Sequence, residues 1–140
     1  MKTEEGDTNL FVCGGVIINE LYVLTVGHCV VNYLNGFNIL KVRLGEWDTQ
    51  NTGEFLPHDD YKVVGVTIHE GYRNSSLWND IALLKLDRPV KFQLNIDTIC
   101  LPEPSDVFDH QKCVTTGWGK SAFRKFSFST MNFNLIDKKF

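Results

Sequence analysis

The chain has 140 residues, of which 43% are hydrophobic and 22% charged, and its formal net charge is −3. This length corresponds to roughly one domain of about 100–200 residues, and the composition is that of a globular protein, which excludes extensive disorder. The net negative charge offers no basic surface for nucleic acid, and no apolar run reaches the roughly 18 residues of a membrane-spanning helix. We therefore expect neither a nucleic-acid partner nor a membrane partner.

Six short apolar or alternating segments, separated by Gly, Asn, Asp or Pro, are predicted to be β-strands. They are 10–18, 22–26, 39–44, 61–69, 81–86 and 112–118. Gly14-Gly15 interrupts the first segment, and Val64, Val66 and Ile68 share one face of the fourth. The fifth segment is apolar on both faces, which predicts a strand buried on two sides. Because no convincing helical period of apolar residues is present, the predicted fold class is all-β, either a barrel or a sandwich.

Three further segments are not predicted to be strands. The loop 45–60 is long, polar and acidic, and loops of this length are often functional. The segment 121–140 contains five phenylalanines and four basic residues without a clean period, which predicts neither a strand nor a helix. The first seven residues include acids where a secretory signal would need an apolar core, so we expect no signal peptide in this chain.

The four cysteines stand at positions 13, 29, 100 and 113. None forms a C-x-x-C pair or has the ligand spacing of a zinc site, so no metal is expected. Buried thiols in a cytosolic protein and disulfides in an oxidising compartment both fit this arrangement. An even number of widely spread cysteines in a mostly β chain slightly favours disulfides.

Two residues are candidates for a catalytic pair. His28 follows an apolar strand in the run LTVGHC, and Asp80 precedes another in the run NDIALL. A buried carboxylate beside a histidine fixes the tautomer of the ring and stabilises the imidazolium that forms in acyl transfer. From these residues alone, a hydrogen-bonded structural histidine and an aspartate that caps a turn are the better explanation.

Four sequence motifs change that interpretation. The runs CGGVII with VLTVGHC, NDIALLKL, ICLP and TGWGK resemble, in this order, motifs of chymotrypsin/trypsin-like serine peptidases. The resemblance implies that His28 and Asp80 hold the family's catalytic positions and that Cys13 and Cys29 form a disulfide. It also implies the family fold, which is a pair of antiparallel Greek-key barrels with the catalytic cleft between them.

On this resemblance, 1–123 is a partial peptidase domain with the first barrel and the start of the second, and 124–140 is a divergent Phe-rich tail. The family's nucleophilic serine lies in a Gly-Asp-Ser-Gly-Gly motif, which has no counterpart in this chain. The oxyanion hole and the specificity pocket belong to the same missing part, so we expect the chain as given to lack peptidase activity. Gly27 replaces the usual alanine before His28, which we expect to loosen the backbone there.

A narrower resemblance concerns the runs VRLGEWDTQ, FLPHDD and SLWND and the segment 113–123. They resemble arthropod clip-domain serine protease homologues similar to phenoloxidase-activating factors, in which glycine commonly replaces the serine. This implies a non-catalytic cofactor of an extracellular proteolytic cascade (prophenoloxidase activation in innate immunity), with cascade proteins as partners and no bound cofactor. The alternatives are the front half of an active serine-type endopeptidase and, far behind, an unrelated all-β binding module.

The family resemblance also bears on the remaining cysteines and on the acidic loop. Cys100 and Cys113 pair outside this segment in the family, so here we expect two free thiols that do not join each other. In trypsin-like proteins a related loop, beginning with a glutamate placed like Glu46, binds calcium. The spacing to Glu54 does not match clearly, so a solvated loop without metal is the favoured interpretation.

Overall fold

The computed structural model describes residues 1–5, 8–49, 55–122 and 125–134, and the chain divides into two compact units, Met1–Cys100 and Leu101–Phe140. The strands of the first unit are β1 (Lys2–Glu5), β2 (Thr8–Phe11), β3 (Val16–Asn19), β4 (Tyr22–Thr25), β5 (Leu40–Leu44), β6 (Asp59–Ile68) and β7 (Ala82–Leu86). Between β4 and β5 the chain forms a four-residue helix, α1 (Gly27–Val30), and two single 3-10 turns, Val31–Tyr33 and Phe37–Ile39.

These strands form one curled seven-stranded antiparallel sheet in the order β2-β1-β5-β6-β7-β4-β3. The predicted all-β class is confirmed as a mostly β fold. β4 pairs with β7, far along the chain, and this long-range pairing places the two candidate catalytic segments at the same end of neighbouring strands.

The hydrophobic core lies on one face of the curled sheet. β5 alternates between buried and half-buried residues along the sequence LKVRL, as a strand with one covered face should. Leu40, Tyr61 and Leu84 are completely buried in this core. Burial of each such side chain contributes about 1.5–3 kcal/mol, so strands β5, β6 and β7 form a rigid support for the loops at their ends.

The N-terminal part of the sheet differs from the sequence prediction. The predicted strand 10–18 is wrong as one element, because the chain leaves β2 at Phe11 and re-enters the sheet only at Val16, beyond Gly14-Gly15. β1 was not predicted at all. Its Lys2 is buried and pairs with Asp60 of β6, with Lys2 Nζ and Asp60 Oδ2 2.7 Å apart, a long-range partner that no local pattern reveals.

Two predictions about the faces of strands are also wrong. A β-bulge between Val63 and Gly65 shifts the register of β6 against β7, so Val64 is exposed although its strand was predicted correctly. β7 is covered on one face rather than two, since Ala82, Leu84 and Leu86 are buried while Lys85 is exposed.

The described part of the second unit is a β-hairpin of β8 (Lys112–Ala122) and β9 (Lys125–Asn134). The strands are antiparallel, with Cys113 opposite Phe133 and Trp118 opposite Phe128. The expectation that the tail forms neither strand nor helix is wrong for residues 125–134, because pairing with a long neighbouring strand compensates for imperfect alternation. No helix in the described part of the chain is long and apolar enough to cross a membrane.

Candidate catalytic histidine–aspartate site

Strand pairing brings His28 and Asp80 together. Thr25, the last residue of β4, lies opposite Ala82, the first residue of β7. His28 follows Thr25 by three positions in α1, and Asp80 precedes Ala82 by two. The two side chains therefore meet where β4 ends and β7 begins, although they are 52 residues apart in sequence.

Asp80 contacts His28 through both of its carboxylate oxygens. Asp80 Oδ2 lies 2.6 Å from His28 Nδ1, and Asp80 Oδ1 accepts a 2.8 Å hydrogen bond from the backbone N–H of His28. Because a carboxylate only accepts hydrogen bonds, Nδ1 of the ring carries a proton, and in the neutral ring Nε2 then keeps its lone pair. The side chain of Asp80 is 17% exposed and that of His28 is 49% exposed, so the ring is held from one side and open on the other.

The electrostatics of the pair favour an ionised aspartate. Burial acts to raise the pKa of Asp80, but hydrogen bonds from the ring and backbone of His28 and from the backbone of Gly27 hold it below its ordinary value. The pKa of the nearby Tyr72 phenol is shifted upward. Burial is the larger cause and the negative charge of Asp80 is the smaller one. Asp80 is therefore a carboxylate at neutral pH, which is the form that orients and stabilises a histidine base.

Gly27 packs closely against the pair. A β-carbon at this position would lie 3.2 Å from Asp80 Oδ1, from Ile68 Cγ2 and from Tyr72 Cδ2. The glycine thus allows β6, Tyr72 and Asp80 to approach the backbone of α1 directly. The loosening expected from the sequence remains a prediction.

A disulfide joins Cys29, the residue after His28, to Cys13. The Cα atoms are 6.3 Å apart, within the usual range for a disulfide. Beside it, the hydroxyl of Thr25 donates a 2.9 Å hydrogen bond to the carbonyl of Gly14. These links fasten the helix that carries His28 to the segment before β3. Cys100 is an exposed free thiol and Cys113 a half-buried one.

Asp60 of β6 lies within a cluster of charged residues from β1 and β5. Sequence reasoning missed this cluster. Asp60 Oδ1 accepts a 2.9 Å hydrogen bond from Arg43 Nε, and the charged amine of Lys2 contacts the second oxygen. Burial acts to raise the pKa of Asp60, but hydrogen bonds from Arg43 and Lys2 lower it to about 2. The sequence signals were the predicted strand 39–44 and the acidic loop 45–60, and neither identifies which residues pair.

The charged cluster extends to the acidic loop through Glu46. Glu46 Oε2 lies 3.2 Å from Arg43 Nη1, with which it forms an ion pair, and 3.0 Å from Nδ1 of His58. This oxygen of the loop carboxylate is therefore already engaged by two side chains. Residues 50–54, which include Glu54, lie outside the described residues. The interpretation of a solvated loop without calcium stays a prediction.

Comparison with known proteins places this geometry in a family. The Trypsin family model matches residues 2–139. The chain is 41% identical over 120 residues to the inactive CLIP domain-containing serine protease A28 of Anopheles gambiae, covering 86% of this chain and 31% of that protein. It is 38% identical over 118 residues to phenoloxidase-activating factor 2 of Galleria mellonella, covering 84% and 38%.

A solved structure agrees with these matches. The crystal structure of the Drosophila Grass clip serine protease of the Toll pathway superposes with a TM-score of 0.73 at 32% identity, covering 84% of this chain and 36% of that one. The chain belongs to the trypsin family of serine proteases. Within it, the chain is related to arthropod clip-domain serine proteases and phenoloxidase-activating factors, and it spans about a third of the length of the curated relatives it matches.

Of the residues singled out in the sequence, the structure brings four into one small region: Cys13, His28, Cys29 and Asp80. Sequence reasoning missed Tyr72, whose ring packs against Gly27. It also missed that the two cysteine sulfurs lie beside the histidine ring, because residues 13 and 28 become neighbours only when the hairpin of β3 and β4 forms.

Proposed function

We propose that this chain is the front part of a trypsin-like domain from a non-catalytic clip-domain serine protease homologue, which acts as a cofactor in an extracellular proteolytic cascade. The observation that carries the proposal is the 41% identity to a clip-domain relative that is itself named inactive. The similarity to a phenoloxidase-activating factor supports activation of prophenoloxidase as the cascade.

In this proposal, His28 and Asp80 occupy the catalytic positions of the family without completing a catalytic site. Nε2 of His28 is the atom that would take a proton from a serine hydroxyl, and Asp80 favours the tautomer in which this atom carries no proton. Acyl transfer also needs the nucleophile itself and donors for the oxyanion. Since the Gly-Asp-Ser-Gly-Gly motif that carries the family's nucleophile does not occur in the chain, we propose that the chain as given turns over no peptide bond.

A protein partner and an extracellular location are parts of the same proposal. The disulfide between Cys13 and Cys29 supports an oxidising compartment. The loop before Asp80 presents Leu77 and Trp78 to solvent, three and two positions before Asp80 in the chain. Exposed tryptophan is typical of protein interfaces, so this loop is the surface that we propose for docking another cascade component.

A second function is favoured by one observation, the intact geometry of the pair. Both oxygens of Asp80 bind His28, and the lowered pKa of Asp80 keeps the carboxylate ionised, as an active peptidase needs. In this alternative the chain is the front half of an active serine-type endopeptidase, like the clip serine protease whose structure it resembles.

The first test is to sequence the continuing transcript to the codon of the family nucleophile. Glycine or another residue without a nucleophilic side chain supports the cofactor, whereas serine within a Gly-Asp-Ser-Gly-Gly motif overturns it in favour of the endopeptidase.

The second test adds the full-length protein to prophenoloxidase and its activating protease and measures phenoloxidase activity. A cofactor should raise this activity, and His28→Ala should raise it as much as the wild type and the matched control His110→Ala. Loss of the effect in His28→Ala alone would contradict a non-catalytic role.

A further inference from the structure

Two sulfur atoms, bonded to each other in the disulfide, lie close to the ring of His28 in the histidine–aspartate pair. The sulfur atoms of Cys13 and Cys29 and a ring nitrogen of His28 are all within 4.8 Å of one another. Cys29 Sγ is 3.4 Å from Nε2 of His28. Zinc–sulfur and zinc–nitrogen bonds of about 2.3 and 2.0 Å at a tetrahedral angle separate neighbouring sulfur and nitrogen ligands by about 3.5 Å. The histidine and Cys29 are therefore already spaced as two ligands of one zinc ion.

We propose that reduction of the Cys13–Cys29 disulfide converts this cluster into a zinc site, with two thiolates, Nε2 of His28 and one water molecule as ligands. In the oxidised chain the two sulfurs are bonded to each other and offer no thiolate. Cys13 is half-buried, Cys29 is buried and His28 is exposed, so the cluster faces solvent on the side of the histidine ring. The zinc site depends only on residues of this chain, and it does not require the proposed cofactor role in a cascade.

Asp80 supplies the support that such a site needs. A histidine that binds zinc usually donates its other ring N–H to a carboxylate, which fixes the tautomer and makes the ring a better ligand. His28 Nδ1 already makes this contact with Asp80 Oδ2 at 2.6 Å. The lone pair of Nε2 is thereby kept on the side of the sulfurs, and the backbone bond from His28 to Asp80 Oδ1 holds the helix in place.

The redox step balances with a dithiol as reductant. The dithiol gives up two electrons and two protons and becomes a cyclic disulfide, while the bond between Cys13 and Cys29 breaks and each sulfur becomes a thiol. Zinc binding then releases one proton from each thiol, because thiolates are the ligands. The bound ion occupies Nε2 of His28, so the state of the disulfide decides whether that atom can accept a proton.

The test uses the full 140-residue chain with Cys100→Ser and Cys113→Ser, which removes the two other thiols. The protein is reduced with dithiothreitol, desalted without oxygen and titrated with Co²⁺ as a spectroscopic probe. We expect one equivalent to bind, with sulfur-to-cobalt charge-transfer bands and the visible bands of a tetrahedral ion, and Zn²⁺ to displace it. Absence of these bands, or the same binding by the oxidised chain, would overturn the proposal.

Three variants separate a folded site from loose thiols. His28→Asn should abolish the tetrahedral spectrum, whereas His110→Asn, a matched change at an exposed position with left-handed backbone, should leave it unchanged. Asp80→Asn should weaken Zn²⁺ binding by about 10–100-fold. Unchanged affinity in Asp80→Asn would mean that the contact between Asp80 and His28 does not support the site, and that result would also overturn the proposal.

Discussion

Asp80 accepts hydrogen bonds from the ring and from the backbone of the same residue, His28, at 2.6 and 2.8 Å. One carboxylate thus fixes both the orientation of the imidazole and the position of the helix that carries it. A substitution at Asp80 should therefore affect both the orientation of the His28 ring and the stability of the helix around it.

Replacing Asp80 by Asn should break the contact with the ring while keeping the backbone bond. The amide oxygen can still accept from the N–H of His28, but its NH₂ group cannot accept from Nδ1. We expect the ring to lose its fixed tautomer and the free energy of unfolding to fall by about 1 kcal/mol, the typical contribution of one hydrogen bond. Histidine ring NMR and urea denaturation measure the two effects, and an unchanged Nδ1–H signal would contradict the prediction.

Removing the disulfide should destabilise the chain markedly. Cys13 and Cys29 close a loop with a sequence separation of 16, for which the chain-entropy model gives about 3 kcal/mol. Urea denaturation of the double variant Cys13→Ser with Cys29→Ser should show a loss of this size. Cys100→Ser, which changes an exposed free thiol, is the control and should stay within about 0.5 kcal/mol of the parent.

The stability of the chain in acid should depend on Asp60. Its pKa falls from 3.8 in the ordinary state to about 2 in the fold, so the folded form binds fewer protons than the unfolded one in this range. The stabilisation is complete above the unfolded pKa and is lost as the pH falls through the folded one. Unfolding measured from about pH 5 to pH 2 should show this loss, and Asp60→Asn should reduce it. Asp109→Asn, at an exposed position, should retain it.

Gly45 should not tolerate alanine. Its φ is +74°, and a β-carbon there would lie 2.6 Å from Asn95 Nδ2 and 2.8 Å from Ile96 Cγ1. Left-handed backbone alone costs a residue with a side chain about 1–2 kcal/mol, and the overlaps add to this. We expect Gly45→Ala to lower the free energy of unfolding by at least about 2 kcal/mol. Gly14→Ala, where nothing lies within 4 Å of the added atom, should change it little.

The parts of the fold that were predicted correctly are those with local signals. The strands near 22–26, 39–44 and 81–86 alternate or run apolar between turn residues, and the structure has β4, β5 and β7 there. β1 was missed because Lys2 can be buried only beside Asp60, more than fifty residues away. The face of β6 was misassigned because a bulge before Gly65 changes which residues point inward.

The candidate site was found for a different reason. Periodicity and spacing favoured a structural role for His28 and Asp80, and only the resemblance of four ordered motifs to a known family indicated that the two belong together. Their juxtaposition depends on the pairing of β4 with β7, which no short-range pattern specifies. The approach of Cys13 to His28 depends in the same way on a strand hairpin and on the disulfide.

The helix α1 has only four residues, and its N-cap is Val26, whose side chain makes no capping hydrogen bond. A helix this short does not persist by itself in water. A Ser or Asp at the N-cap would normally accept a hydrogen bond from the second helical N–H. Here that N–H belongs to His28, and it donates to Asp80 Oδ1, just before the neighbouring strand β7. Asp80 is thus a remote cap as well as a partner of the imidazole. Folding alone is reason enough to keep an aspartate here, so its presence in a relative does not by itself diagnose a working protease.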